Sequence, residues 1–270
     1  PHSYSSAASD VYKRQRTVLL SQYSLGIIKR VEKIFTGSPP IDLSIKRSAS
    51  EENYFKQLKG TSVNRSHFRL SQKTSLIKTK GYCAGDWWVQ SLAASLPVKI
   101  APMDLNEKTV LDVCCAPGGK SFQLADKGAI LTSIDKSEKR IKLMKENLDR
   151  LNYDLDLICK DVFEYQPKNL FDIILLDPPC TATGTIGKNP DLQFLNPLDK
   201  LEELSDIQQK MLTRCASWLQ DDGYIIYSVC SLLKEEGEDQ ISRFLKKNKE
   251  FCLVYPKKQG YLDQEGYETN

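Results

Sequence analysis

The sequence predicts an α/β fold: a mostly parallel sheet covered by helices on both faces, with a smaller unit in front of it. Three observations support this. From Thr109 onward, short β-rich runs alternate with longer helical patterns, and such alternation builds parallel sheets. The first run leads through a turn bearing Gly118 and Gly119 straight into a helix start, a strand–turn–helix unit of the kind that frames a ligand crevice. With 270 residues and 40% hydrophobic content, the chain can bury a full α/β core and an appended unit.

The elements follow in order. Residues 1–15 are rich in Ser and Ala, lack an initiator Met and show no apolar periodicity, so they are expected to be a non-native tail. Val18, Leu19, Leu25, Ile28, Val31 and Ile34 recur at helical spacing and stop near Gly37 and Pro39, which predicts a linking helix over 16–36. Residues 37–82 mix strand-like and helix-like pieces and form a small α+β unit. The main domain takes 83–270. Asp86 is placed to cap a helix through Trp87, Trp88, Val89 and Leu92 that stops at Pro97. Strands are expected at 110–113, 130–134, 155–159, 173–176 and 224–228. Helices are expected at 137–151, with Ser137 as N-cap, at 201–219 and at 234–247. One more apolar run, 251–255, leaves little sequence for closing strands, and a truncated end is expected.

Charge narrows the partners only slightly: 38 basic against 35 acidic residues give a net charge of +3. The basic residues are uneven, however. Between 46 and 80 lie Lys46, Arg47, Lys56, Lys59, Arg65, Arg69, Lys73, Lys78 and Lys80 against only Glu51 and Glu52. This is either a solvated face or a nucleic-acid footprint. Eight cysteines without a CxxC pair, and only His2 and His67, give no zinc pattern, so no metal is expected. Several cysteines sit in apolar runs as small hydrophobes, which predicts a reducing, cytoplasmic setting. No apolar run approaches the length of a bilayer span, so no membrane partner is expected; the protein is expected to be a monomer.

The string VLDVCCAPGGKS, Val110 to Ser121, frames the first half of a site. Gly118 and Gly119 let the backbone approach a ligand closely. A glycine pair alone is weak, since turns use them everywhere. Two acids at successive strand ends strengthen it. Asp135 ends the second strand, about 20 residues past the turn, where it can accept from ribose hydroxyls. Asp161 follows the third strand, where it can orient an adenine, although each is also an ordinary cap or turn residue. No phosphate-binding lysine pattern is present, which favours a nucleoside cofactor over a triphosphate.

The other half is LLDPPCTATGT, Leu175 to Thr185, after the fourth strand, and YSVCS, Tyr227 to Ser231, at the end of the fifth. Both set a cysteine at a carboxyl strand end facing one crevice. Buried structural cysteines outnumber reactive ones, so neither cysteine decides the matter alone. Cys180, Cys230, Asp177 and the glycine turn on adjacent strands together point to nucleophilic chemistry, for which a soft thiolate accessible near neutral pH is suited.

These motifs resemble the Sun/RsmB group of RNA 5-methylcytosine methyltransferases, related to the eukaryotic Nop2 and NSUN proteins. The resemblance covers about 39–251. It rests on PPIDL (Pro39 to Leu43), GDWWVQ (Gly85 to Gln90), the DVCCAPGGK turn, Asp135 with Arg140, DPPC followed by Asn189, Pro190 and Asp191, and the VCS string. The DWWVQ form is most similar to the bacterial RsmB branch, which acts on 16S small-subunit ribosomal RNA. The resemblance implies a Rossmann-like S-adenosylmethionine-dependent methyltransferase sheet with an N-terminal RNA-binding unit. It implies Cys230 as nucleophile, Cys180 in product release, Asp177 at the base and Lys120 close to the reacting groups. Cys114, Cys115, Ala116, Pro117, Gly118, Gly119 and Lys120, with Asp135, Arg140, Asp161 and Asp177, would hold the cofactor.

The chemistry explains these residue types. Carbon 5 of cytosine is too weak a nucleophile to attack a methyl sulfonium, but a thiolate adding to carbon 6 makes it enamine-like. A group near ring N3 must supply or share a proton, for which Asp177 is the candidate. Afterwards the carbon 5 proton must leave and the thiol be expelled, a step that a second thiol can assist. Three departures stand out: Cys115 and Pro179 replace the usual Ala, and Val229 replaces Thr. Of the N-terminal helical domain that the resemblance implies for the full-length group, only the 16–35 helix is expected in this sequence. Two alternatives remain open here: an amino-group methyltransferase gripping an exocyclic amine with Asp177-Pro178-Pro179, and a catalytically silent RNA-binding or ribosome-assembly protein. A DNA cytosine-5 enzyme would instead take Cys180 as nucleophile.

Overall fold

The computed structural model describes residues 6–37, 39–49, 58–64, 66–71, 75–193 and 197–255. Two helices come first, α1 (Ser6–Gln22) and α2 (Leu25–Thr36). The single helix expected over 16–36 is thus two, broken where the Ser24 hydroxyl accepts from Ile27 N and caps α2. Helix α1 also begins within the stretch expected to be a tail, where alanines such as Ala7 and Ala8 favour helix. Neither helix is a bare link. Leu19 and Ile28 pack on Leu233, Tyr23 donates to Leu232 O at 2.9 Å, and Gln22 reaches Glu235 at 2.8 Å. The pair braces the loop that follows Cys230.

The small unit is an antiparallel sheet of β1 (Ile41–Ile45), β2 (Gly60–Asn64), β3 (His67–Leu70) and β4 (Trp87–Val89), in the order β2-β3-β1-β4. Trp87–Val89 is therefore a strand and not the helix expected after Asp86. The period is two: Trp87 enters the small core with Leu43 and Phe68, while Trp88 packs with Cys115, Ala116 and Phe122 of the main domain. The helix starts later, as α3 (Leu92–Lys99), with Ser91 as its cap and Pro97 inside it. Because β4 pairs with β1, Leu43 opposite Val89, the small sheet runs past the boundary expected at 82/83.

The main sheet is parallel throughout: β5 (Thr109–Val113), β6 (Ile130–Asp135), β7 (Asp156–Cys159), β8 (Phe171–Leu176) and β9 (Leu219–Tyr227), in the order β7-β6-β5-β8-β9. Helices α4 (Gly119–Asp126), α5 (Glu138–Leu151) and α6 (Leu201–Ala216) connect its strands, and α7 (Glu238–Lys247) follows β9. Alternation explains why β5 and β8 are buried on both sides. Leu111, Val113, Ile174 and Leu176 meet Met211, Leu212 and Phe244 on one face. Val110, Ile173 and Leu175 meet Val98, Leu105 and Leu124 on the other. Ser137 caps α5 as expected, accepting from Arg140 N. Helix α6 ends before 219 because Leu219 is already paired with Phe171 in the sheet. Gly237 separates α7 from the short 3-10 turn Lys234–Glu236. Among the described residues no strand pairs with the outer edge of β9. Strand order reverses between β5 and β8, so the crevice opens at their carboxyl ends.

Candidate active site

Cys114 leaves β5 at φ 62° and starts the turn. Gly118 follows at φ 106°, where a Cβ would lie 2.4 Å from the Phe122 ring and 2.9 Å from Met144 Cγ. Only glycine fits there. Cys115, the departure from the usual Ala, is buried with its sulfur 3.7 Å from Met144 Sδ.

The acids are placed less simply than the spacing suggests. Asp135 ends β6, but its carboxylate already accepts from Ala116 N at 3.2 Å and Ser137 N at 2.9 Å. Arg140 Nη1 stands 3.3 Å away, and its other terminal nitrogen donates to Ala116 O. Asp135 and Arg140 thus clamp the turn from behind. Asp161 accepts from Phe163 N and lies 3.7 Å from Lys136 Nζ; it is not among the residues lining the cleft beside the glycine turn.

That cleft, of about 470 Å³, is lined by Trp88, Gln90, Ala116, Lys120, Asp177 and Lys188 among others. Lys120 Nζ sits 2.5 Å from Asp177 Oδ2. Sequence reasoning passed over Asp112, whose only signal is an acid inside an apolar strand. It is 1% exposed, takes Ser121 Oγ at 2.5 Å on Oδ2, and has an unpartnered Oδ1. Burial first, then Asp177 and Asp135, push its carboxyl up to about 7 against the pull of Ser121 and Lys120. A carboxyl raised on folding contributes stability that is full below the unfolded range, about 4, and is lost as pH rises through about 7. Asp112→Asn is therefore expected to flatten the fall in urea-unfolding stability between these two values; an unchanged pH slope would contradict the assignment.

The two cysteines meet. Cys180 Sγ and Cys230 Sγ are 3.3 Å apart. The hydrogen bond shared with Cys180 holds the Cys230 thiol below the ordinary thiol range, against burial and Asp177, with help from Lys120. The same bond, with burial, pushes Cys180 up. The two thiols therefore titrate as a pair, with the proton shared between them. Desolvation pushes the half-buried Cys114 and the buried Cys215 thiols up, each to about 12. The two loops are stitched together: Gly184 N donates to Cys230 O at 2.9 Å, and a Cβ on Gly184 would come within 2.8 Å of that oxygen. Ser231 Oγ bonds Thr181 at 3.0 Å and Thr183 at 3.2 Å.

The basic stretch 46–80 does not form one free face. Lys46 donates to Leu151 O at 2.6 Å, Arg47 pairs with Asp126 and Arg69 with Asp42. Lys59 and Lys78 are exposed, while Lys56, Arg65 and Lys73 fall outside the described residues.

An all-parallel sheet reversing between β5 and β8, with a glycine turn at the reversal, makes this a Rossmann-like domain of the methyltransferase class. A family model described as 16S rRNA methyltransferase RsmB/F matches residues 99–268, and the chain belongs to that family. The ribosomal RNA small subunit methyltransferase B of Shewanella oneidensis is 38% identical over 162 residues, 58% of this chain and 38% of the relative. That of Pseudomonas syringae pv. tomato is 33% identical over 221 residues, 77% and 49% of the two chains. The chain thus spans about half or less of these relatives. Among solved structures, NSun6 from Pyrococcus horikoshii with SFG, an analogue of S-adenosylmethionine, matches with TM-score 0.59 and 26% identity over 69% of this chain and 50% of that one.

Proposed function

We propose that this chain methylates carbon 5 of a cytosine in RNA, small-subunit ribosomal RNA by its kinship, with S-adenosylmethionine as donor. The observation that carries the reading is the 3.3 Å contact between the Cys180 and Cys230 sulfurs, on the loops that follow the carboxyl ends of β8 and β9. The orphaned Asp112 Oδ1 and the Gly118–Gly119 cradle fit a nucleoside cofactor with a cationic amino-acid end. Cys114 to Lys120 would line it, with Asp135 and Arg140 supporting the turn and Asp161 beyond its rim. The cofactor supplies an electrophilic methyl group; the rest is done by side chains.

Cys230, favoured as thiolate, adds to carbon 6 of the ring. Asp177, with Lys120 against it, holds the proton shared with N3. After methyl transfer the carbon 5 proton passes to solvent and the sulfur–carbon 6 bond breaks. Cys180, the protonated partner, donates to the departing Cys230 sulfur, which eases that break. Exposed Lys59 and Lys78, with Lys188 at the cleft, are available to phosphates.

Incubating the protein with ribosomal RNA and methyl-labelled cofactor, then digesting to nucleosides, is expected to give labelled 5-methylcytidine. Label on an exocyclic amine would favour the amino-group reading. RNA retention without any label would favour a silent binding protein.

A further inference from the structure

The glutamate six residues past Cys230 has no part in the chemistry above, yet it is among the most buried charged groups described. Glu236 is 0% exposed, and all its carboxylate contacts lead to the Cys180 loop. Oε1 accepts from Thr181 N at 2.9 Å and from Gln208 Nε2 at 2.9 Å; Oε2 accepts from the Thr181 hydroxyl. Gln208 Nε2 also donates to Pro179 O at 2.9 Å. Both neighbours of Cys180 are therefore tied to one carboxylate, Thr181 directly and Pro179 through Gln208. That carboxylate belongs to the loop carrying Cys230. Tyr227 OH fixes it further, donating to Glu236 O at 2.8 Å.

We propose that Glu236 is a positioning residue: its buried carboxylate holds the Cys180 loop against the Cys230 loop and so sets the separation and orientation of the two thiols. A buried carboxylate is kept only where its lone pairs are satisfied, and here three donors satisfy it. Two alternatives are less well served by the geometry. Glu236 does not reach the cleft, so it is not a ligand to cofactor or base. It forms no ion pair among the described residues, so it is not half of a structural salt bridge. It also stands on the Cys180 side of the pair, where it adds a small upward push on the Cys180 thiol behind the larger effects of the bond to Cys230 and of burial. The other charged or titratable groups facing the pair are Asp177, Lys120 and Tyr227, with Arg243 behind Tyr227; none of them binds either flank of Cys180.

This inference rests on reading the two thiols as the reacting pair, but its test needs neither RNA nor cofactor. The full chain is treated with iodoacetamide across pH 6 to 9, and the modification rates of Cys180 and Cys230 are read by peptide mass spectrometry. Cys230 is expected to react about tenfold or more faster than Cys180, since one pKa unit corresponds to tenfold in thiolate fraction. In Glu236→Gln, which keeps shape but loses charge, the ratio is expected to fall to about threefold or less, with the Cys180 profile moved to lower pH. Thr181→Val, which keeps the charge and the backbone bond but removes the hydroxyl, is expected to narrow the ratio by a smaller factor. It decides the matter alone if Glu236→Gln does not fold. A ratio unchanged in a folded variant overturns the proposal, because a merely structural glutamate would alter unfolding without reordering the thiols. A narrowed ratio in a protein that makes no 5-methylcytidine would instead sink the functional reading and leave the role of Glu236 standing.

Discussion

Cys230→Ala is expected to lower single-turnover formation of 5-methylcytidine by about a thousandfold or more, the scale seen when a covalent nucleophile is removed. The size follows from the chemistry. Without a sulfur on carbon 6, carbon 5 stays part of an aromatic ring and has no electron pair to direct at the methyl group. Orientation by the crevice cannot substitute for that. Cys180, the only other thiol in contact with Cys230 among the described residues, is a poor replacement, since it is the member whose proton is held. RNA retention should change little, because the side chain lost is small and exposed. Residual methylation within tenfold of the parent would contradict the assignment.

Cys180→Ala should fail in the opposite way. Addition and methyl transfer proceed, because Cys230 and the turn are intact, but the sulfur leaving carbon 6 has lost the donor 3.3 Å away. The expected result is a protein–RNA adduct that survives denaturing electrophoresis and holds most of the protein when RNA is in excess. Turnover beyond the first cycle drops steeply. The double variant should show neither adduct nor product. If Cys180→Ala instead turns over normally with no adduct, the division of labour between the thiols is wrong.

Much of this arrangement was legible in the sequence because it is local. A strand that must be apolar on both faces, a glycine turn and a cap such as Ser137 all write themselves within a dozen residues. The cysteines at 180 and 230 could be placed at strand ends for the same reason, since parallel strands present their carboxyl ends to one side. What escaped is set by tertiary contact. Trp87–Val89 has the polar flank of a capped helix, yet two cores on opposite sides, Leu43 with Phe68 and Cys115 with Phe122, draw it into a strand. Asp135 sits at the expected strand end, but Ala116 and Ser137 take up its oxygens. Asp112 is one acid in an apolar strand and Glu236 one of several in a charged run; only folding reveals that both are sealed inside, Asp112 beside the cleft and Glu236 against the Cys180 loop.

The most direct test is to digest the RNA of the Cys180→Ala adduct to single nucleotides and map the modified cysteine by tandem mass spectrometry. A cytidine carrying one extra methyl group, attached to the sulfur of Cys230, is the predicted result. A nucleotide on Cys114, Cys215 or any other cysteine, or an adduct with no methyl group on its base, would contradict it.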